Sequence, residues 1–309
     1  MNNVLVTGGC GFIGSHIVDK LIGMGKNVFV VDNETSSSAA QYYYNDHATY
    51  FKDSITNSKK LAHVFEKSID TVFHLAALSR IPYSIEHPTQ ACETNCMGTL
   101  NVLEMSRHYG VKRVIYSSTS SAYGLKNSAP QNEDMQPDCL NPYSASKVAG
   151  ENLCKIYTSL YDVETVILRY FNVYGERHPT QGSYAPVVGV FKQQALEGKP
   201  MTIFGDGKQR RDFTHVKDVV KANILAAESV DKNVLGEIFN VGGGVNYSIL
   251  EIANLIGGEY MLLAPKPGEA QETLANIDKI KKLLGWKPEI KLENWIKKQN
   301  NKIKESGDA

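Results

Sequence analysis

Two side chains near the middle of the sequence have the types and the spacing that proton transfer requires. Tyr143 and Lys147 lie four residues apart in the segment NPYSASK. Asn141 can cap a helix and Pro142 fits its first turn, so the pattern predicts a helix with Tyr143 and Lys147 on one face. The pKa of a free tyrosine is about 10, and a nearby ammonium favours the phenolate. The pair is therefore a candidate general base with its own tuning cation.

A cluster of hydroxyl side chains precedes this pair. The segment SSTSS, residues 117–121, ends a strand-like apolar run. Ligands of parallel α/β sheets bind at the carboxyl ends of the strands, so we expect Thr119 to lie beside Tyr143 and to pass or steady its proton. The alternative is a solvated pair of Tyr143 and Lys147 on the surface, with the serines as a polar strand end.

A glycine-rich loop, TGGCGFIG at residues 7–14, follows the first strand-like segment. Gly8, Gly11 and Gly14 are spaced three apart between this strand and a helical pattern, which lets a backbone approach a pyrophosphate at a helix N-terminus. Asp32 ends the next strand, where its carboxylate can accept hydrogen bonds from an adenosine ribose. Its charge would repel a 2′-phosphate. These residues therefore predict a dinucleotide site for NAD rather than NADP.

The elements that must position these groups alternate between strands and helices. Helical patterns separate the short apolar runs Asn3–Thr7, Asn27–Val31, Thr71–Leu75, Arg113–Ser117 and Thr165–Arg169. The alternation predicts an α/β fold with a doubly wound parallel sheet, the Rossmann arrangement. We expect residues 1–168 to form the NAD-binding domain. Residues 169–309 should form a smaller α/β substrate domain that returns some segments to the first, with a polar end that frays from Lys297.

The composition excludes several classes of protein. Of 309 residues, 42% are hydrophobic and 21% are charged, which is the balance of a globular protein with a sizeable core. The 33 basic and 33 acidic residues give no electrostatic reason to bind nucleic acid or a membrane. The N-terminus lacks a signal-peptide pattern. Five cysteines without a CxxC pair predict no metal site and reduced thiols in the cytoplasm.

The glycine loop resembles the fingerprint of the extended short-chain dehydrogenase/reductase proteins, within their NAD-dependent epimerases and dehydratases. The likeness continues through HLAA at 74–77, YSASK at 143–147, RYFNVYG at 169–175, GDGKQRRDF at 205–213, PGE at 267–269 and LGWKP at 284–288. These motifs span nearly the whole chain, and they are most similar to those of the nucleotide-sugar 4-epimerases. The resemblance implies NAD as cofactor, a UDP-sugar as substrate and a homodimer.

The resemblance also implies residue roles. Tyr143 is the implied general base, Lys147 holds the nicotinamide ribose, and Thr119 is the third catalytic residue. With the glycine loop and Asp32, the predicted cofactor contacts are Gly8, Gly11, Phe12, Ile13, Gly14, Asp32, Asn33, Asp53, Ser54, Ile55, Leu75, Ala76, Ala77, Asn95, Ser117, Tyr143, Lys147 and Tyr170. The predicted substrate contacts are Arg80, Thr119, Tyr143, Asn172, Phe204, Gln209, Arg211, Lys266, Glu269 and Thr273. Among these, Asn172 and Arg211 are implied to contact the diphosphate, and Glu269 the uridine ribose.

Several positions leave alternatives open. Either Asp53 or Ser54 must meet the adenine amine, because this sequence has DSI where the family has GDI. Arg80 either faces the sugar or a phosphate, or is a plain surface arginine. Lys266 stands where relatives have an arginine, so it keeps the charge but loses the bidentate geometry. We expect His74 to be a hydrogen-bonded structural residue rather than a catalyst.

The implied reaction is the 4-epimerisation of a UDP-hexose through a transient 4-keto sugar. In the family, the residue at Thr273 walls the pocket beside the C2 substituent, and its small size implies that the N-acetylated UDP-hexoses are accepted along with UDP-glucose and UDP-galactose. The alternatives are an epimerase for another nucleotide sugar, such as a uronate, a dehydratase, a decarboxylase or a non-enzymatic NAD-binding regulator. A dehydratase needs a carboxylate directly after Thr119, where this sequence has two serines. A regulator would not need the three catalytic residues together.

Overall fold

The computed structural model describes residues 1–36, 41–179, 187–265 and 270–307. The strands are β1 (Asn3–Thr7), β2 (Asn27–Asp32), β3 (Thr49–Lys52), β4 (Thr71–His74), β5 (Arg113–Thr119), β6 (Glu164–Tyr170), β7 (Val173–Tyr174), β8 (Met201–Phe204), β9 (Arg210–Asp212), β10 (Thr214–His215), β11 (Ile238–Val241), β12 (Asn246–Ser248) and β13 (Tyr260–Leu263). The α-helices are α1 (Phe12–Gly23), α2 (Ser58–Phe65), α3 (Ile81–Glu86), α4 (Pro88–Cys92), α5 (Gly98–His108), α6 (Pro142–Tyr161), α7 (Val187–Leu196), α8 (Val216–Glu228), α9 (Ile249–Ile256), α10 (Asp278–Leu284) and α11 (Leu292–Gly307). A turn of π-helix, Glu93–Met97, joins α4 to α5.

Seven parallel strands form the central sheet in the order β11-β6-β5-β4-β1-β2-β3. The strand order reverses beside β1, which pairs in parallel with β2 on one side and β4 on the other. In open α/β sheets such a reversal leaves a crevice at the carboxyl ends of the strands. The predicted α/β doubly wound fold is confirmed, and the glycine loop lies at this crevice.

Two segments from the second half of the chain return to the sheet. Strand β11 pairs in parallel with β6 at the edge. Helix α8 contributes Val219 and Ala222 to the apolar core that also contains Ile17 and Leu21 of α1. The return of later segments was expected from the sequence, whereas the boundary between residues 168 and 169 stays a prediction.

The second half has an apolar core of its own, and the last helix of the chain packs against it. Tyr174, Phe191 and Trp295 are buried there together. Helix α11 inserts Trp295 and Ile296 into this core and continues to Gly307. The expected fraying from Lys297 is therefore wrong, because the docked first turns nucleate a helix that the polar sequence then continues.

The start of α6 follows its local sequence. The Asn141 side chain accepts a hydrogen bond from the Ser144 main-chain N–H at 2.9 Å, and Pro142 occupies the first turn. This capping confirms the predicted helix start just before Tyr143. Within the described ranges, no helix has the length and apolar content needed to span a membrane.

Candidate active site

The loop between β1 and α1 is shaped for close approach of a ligand. A Cβ on Gly8, which has a φ of +71°, would lie 2.8 Å from the Ala76 nitrogen, and a Cβ on Gly14 would lie 2.1 Å from the Gly8 carbonyl oxygen. Only glycine permits these contacts. Gly11 caps α1 without a side-chain hydrogen bond, so no side chain at the cap competes for the first N–H groups of the helix. The residues present therefore fit a dinucleotide pyrophosphate.

The Asp32 carboxylate is fixed at the end of β2. It accepts hydrogen bonds from the main-chain N–H groups of Cys10, at 3.0 Å, and Glu34, at 2.9 Å. Burial raises the pKa of Asp32, and these two hydrogen bonds act in the opposite direction. Each carboxylate oxygen retains a lone pair for a ribose hydroxyl. Asp53 and Ser54 line the same cavity, so the adenine contact stays open between them.

The predicted cofactor residues converge on one cavity of about 1080 Å³, with the exception of Asn95. Asn95 is buried behind the cavity wall. Its amide accepts a hydrogen bond from the Leu78 N–H at 2.8 Å and donates to the Leu78 carbonyl at 3.1 Å and to the Ser146 hydroxyl at 2.9 Å. Because these contacts occupy the amide, Asn95 fixes the loop after β4 and lies outside the cavity lining.

Thr119, Tyr143 and Lys147 meet in this cavity. The Thr119 hydroxyl lies close enough to the Tyr143 phenol to favour the ionised form of the phenol. Lys147, one helical turn after Tyr143, is 3% exposed, and its ammonium lies 4.2 Å from the centre of the Tyr116 ring. The three groups can hold and move one proton at the phenol oxygen.

The surrounding side chains do not by themselves lower the pKa of the phenol. Burial raises the pKa of Tyr143, and the neighbouring Thr119 side chain acts in the opposite direction. Burial also lowers the pKa of Lys147 to about 8, with nearby Glu151 acting in the opposite direction. The side chains of the protein alone therefore keep the phenol protonated at neutral pH, because the effect of lost solvation outweighs that of Thr119.

His74 has the structural role expected for it. Its Nδ1 lies 2.7 Å from the Thr7 hydroxyl, and its Nε2 lies 3.0 Å from the Thr99 hydroxyl. Burial lowers the pKa of His74 to about 3, so the ring is neutral. Both ring nitrogens are used between β1 and α5, and the ring does not line the cavity.

The predicted substrate residues fall into three groups. Arg80, Thr119, Tyr143 and Asn172 line the cavity with the cofactor residues. Phe204, Gln209, Arg211 and Thr273 lie on or beside β8 and β9, outside the lining of that cavity. Lys266 and Glu269 lie outside the described residues. The two located groups are joined through Asn172, whose amide donates to the Asp212 carbonyl at 2.7 Å.

Arg80 lines the same cavity as Tyr143. It caps α3, and Ser84 of that helix accepts a hydrogen bond from the Tyr143 main-chain N–H at 3.2 Å. The main chain of Arg80 therefore lies about one helical turn before Ser84, which contacts α6. This placement is compatible with the sugar or with a phosphate, and the role of Arg80 stays a prediction.

A buried ion pair behind the catalytic residues was missed by the sequence reasoning. Arg169 of β6 and Glu151 of α6 are 1% and 2% exposed, and their two hydrogen bonds measure 2.8 and 2.7 Å. The Ser118 hydroxyl donates to the same Glu151 carboxylate at 2.6 Å. Two signals were present. Glu151 stands one turn after Lys147, and Arg169 is a charged residue inside an otherwise apolar strand.

Comparison with known proteins agrees with this geometry. The model of the NAD dependent epimerase/dehydratase family matches residues 4–242. The chain is 36% identical over 327 residues to the UDP-glucuronate 4-epimerase of Thermodesulfobacterium geofontis, covering 99% of this chain and 97% of that protein.

Two solved structures have the same fold. One is the UDP-glucose 4-epimerase of Thermotoga maritima with UDP-glucose, with a TM-score of 0.91, 36% identity and coverage of 98% and 99% of the two chains. The other is the UDP-N-acetylglucosamine 4-epimerase of Methanobrevibacter ruminantium, with a TM-score of 0.88, 33% identity and coverage of 97% of each chain. Relatives of similar identity thus act on three different UDP-sugars.

Proposed function

Because the chain belongs to the NAD-dependent epimerase/dehydratase family and is a nucleotide-sugar epimerase, we propose that it inverts C4 of a UDP-hexose. We propose further that it accepts both UDP-glucose with UDP-galactose and the corresponding N-acetylated pair. The observation that carries the proposal is the meeting of Thr119, Tyr143 and Lys147 in the cavity that holds the glycine loop and Asp32.

The residues of the chain divide the work of this reaction. The glycine loop and Asp32 would hold NAD⁺, which would supply reversible hydride transfer at C4 of the sugar. Tyr143 takes the proton of the C4 hydroxyl and gives it back to the same oxygen when the hydride returns. The Thr119 hydroxyl favours the ionised form of the phenol, and Lys147, one helical turn after Tyr143, adds a positive charge in the same cavity.

The residues after Thr119 argue against a dehydratase. Ser120 and Ser121 line the cavity, and the Thr119 hydroxyl accepts the Ser121 main-chain N–H at 3.1 Å. A dehydratase must remove a proton from carbon, and neutral hydroxyls in this position cannot act as that base. A 4-epimerase needs no further base, because the proton returns to the C4 oxygen and the hydride returns to C4 of the same sugar.

The direct test is incubation of the purified protein with single UDP-sugars without added NAD. UDP-glucose, UDP-N-acetylglucosamine and UDP-glucuronate would each be followed by chromatography of the 4-epimer. We expect both hexose pairs to be interconverted, since no net redox change occurs. Turnover of UDP-glucuronate alone would favour the uronate alternative. Failure with every UDP-sugar, although the protein carries NAD, would refute the proposal.

Substitution of Thr273 tests which UDP-sugars the protein accepts. Its hydroxyl accepts a hydrogen bond from the Asp212 main-chain N–H at 3.3 Å, which holds the segment beside β9. A large pocket rejects a small sugar by only about 1–3 kcal/mol, whereas a small pocket excludes a large substituent strongly. Thr273→Tyr should therefore abolish turnover of the N-acetylated pair and spare UDP-glucose, with Thr273→Ser as the control that retains both. Equal loss of both activities in Thr273→Tyr would show that Thr273 does not set this specificity.

A further inference from the structure

A buried carboxylate joins several segments of the second half of the chain. Asp212, the last residue of β9, has 0% exposure. Its carboxylate accepts hydrogen bonds from three main-chain N–H groups, those of Gly243 at 2.5 Å, Gly244 at 3.0 Å and Ala275 at 3.0 Å. The Gly243–Gly244 loop and the segment at Ala275 are thus fixed to β9 by one side chain.

The surrounding backbone is built to fit this carboxylate. A Cβ on Gly242 would lie 2.9 Å from one Asp212 carboxylate oxygen and 2.3 Å from the Ala275 Cβ. A Cβ on Gly243 would lie 3.0 Å from the other oxygen and 2.6 Å from the Phe213 carbonyl. Gly242 and Gly243 therefore let the loop lie closer to the Asp212 carboxylate than any residue with a side chain would allow.

The main chain of Asp212 reaches two predicted substrate residues and adjoins a third. Its carbonyl accepts the Asn172 amide at 2.7 Å, and its N–H donates to the Thr273 hydroxyl at 3.3 Å. Arg211 precedes it in β9. Asn172, Arg211 and Thr273 come from separate parts of the sequence, and Asp212 is the residue that they share.

We propose that Asp212 is a positioning residue for the nucleotide half of the substrate. This inference rests on the proposed function, because it takes Asn172, Arg211 and Thr273 as UDP-sugar contacts. Asp212 itself is fully buried and lies outside the lining of the cavity. Its carbonyl holds Asn172, and its carboxylate and N–H hold the Thr273–Ala275 segment beside the strand that carries Arg211. Asn172 and Arg211 are the predicted diphosphate contacts and Thr273 is the predicted sugar contact, so loss of Asp212 should weaken substrate binding rather than slow the chemical step.

The test compares Asp212→Asn with a matched variant, Asp218→Asn. In Asp212→Asn, the side-chain NH₂ group would face main-chain N–H groups, which are also donors, so some of the three hydrogen bonds would be lost. Asp218 is also buried, at 2%, and its carboxylate accepts the Ile290 N–H at 3.0 Å, but no hydrogen bond joins it to those predicted substrate residues that the structure describes. Binding of UDP alone, by calorimetry, would be measured with KM, kcat, bound NAD and thermal stability.

Asp212→Asn should raise the Kd for UDP and the KM for the UDP-sugar at least about tenfold, while kcat and bound NAD stay near wild type. Asp218→Asn should lower thermal stability without changing UDP binding. Unchanged UDP binding in Asp212→Asn, or equal weakening in both variants, would overturn the inference. Failure of the wild type to bind UDP would overturn the proposed substrate class as well, whereas UDP binding without turnover would overturn only the proposed reaction.

Gly243→Ala tests the same inference with the carboxylate retained, and it decides the matter if Asp212→Asn does not fold. The added methyl group would push the loop away from the Asp212 carboxylate. We expect the same selective weakening of UDP binding. Wild-type UDP affinity in a folded Gly243→Ala protein would contradict the positioning role.

Discussion

Burial works against the residue that must lose a proton. Tyr143 lies in the cavity wall, where loss of solvation raises the pKa of its phenol. The same burial lowers the pKa of Lys147 to about 8, which still leaves most of its ammonium charged at neutral pH. The phenolate is therefore favoured only while additional positive charge lies nearby, and a base of this kind stays inactive in the empty protein.

Removing the phenol hydroxyl should affect the rate and spare binding. We expect Tyr143→Phe to lower kcat by about 100-fold or more, because positioned general bases contribute about that much, while UDP binding and bound NAD stay near wild type. Tyr174→Phe is the matched control, since its buried hydroxyl donates to the Ile290 carbonyl at 3.1 Å and does not line the cavity. Steady-state kinetics check both variants. A Tyr143→Phe enzyme with more than about a tenth of the wild-type rate would refute the base assignment.

At the scale of elements, the contact between β1 and α1 decides whether the cofactor loop can form. Gly14→Ala would place a methyl group 2.1 Å from the Gly8 carbonyl oxygen, so the helix and the loop must separate. We expect the purified variant to lose most of its bound NAD. Gly23→Ala in the same helix meets open space, so it should retain NAD and gain up to about 1 kcal/mol of stability. Full NAD content in Gly14→Ala would show that the close packing is dispensable.

A second contact between elements is the ion pair of Glu151 and Arg169, which ties α6 to β6 and, through Ser118, to β5. Removing one partner leaves a buried charge, so Glu151→Ala should lower the free energy of unfolding by about 3–5 kcal/mol. Replacing both residues with methionine should cost less than the single change. Denaturant unfolding would give the free energy of unfolding of the wild type, of Glu151→Ala and of the double methionine variant.

The exposed pair of Lys221 and Glu289 provides the control for this prediction. Its side chains are 37% and 55% exposed, so Glu289→Ala should change stability by less than about 1 kcal/mol. If Glu151→Ala were no more destabilising than Glu289→Ala, the buried pair would not hold these elements together.

The parts of the fold and site that could be predicted depend on short stretches of sequence. The capping residue Asn141 and the glycines at 8, 11 and 14 act within a few residues, so their pattern predicts a helix start and a phosphate loop. The role of Asp212 depends on segments from distant parts of the chain, which no local pattern reveals. The helix beyond Lys297 was missed for the same reason, since it depends on docking of Trp295 into a remote core.

At the scale of the whole molecule, the net charge of zero conceals buried groups that titrate differently in the folded and unfolded chain. Burial lowers the pKa of His74 to about 3 and that of His178 and of His215 to about 4. In the unfolded chain each imidazole has a pKa of about 6.5. Burial acts in the opposite direction on the carboxyl of Asp212, raising its pKa to about 6.

These shifts predict that the protein loses stability on mild acidification. Below about pH 6.5 the unfolded chain binds protons at three histidines that the folded protein leaves neutral, so each contributes stability that falls by about 1.4 kcal/mol per pH unit. Burial also raises the pKa of the carboxyls of Asp32, Glu133, Asp212 and Asp218, which therefore oppose this loss of stability. Of these, Asp212 is the group raised to about 6, so the three histidines dominate between about pH 6.5 and pH 5. Urea unfolding at pH 7.5, 6.5 and 5.5 should show a falling midpoint, and His178→Gln should reduce the slope by about one proton. A midpoint that stays constant or rises on acidification would mean that the histidines titrate in the folded protein much as they do in the unfolded chain.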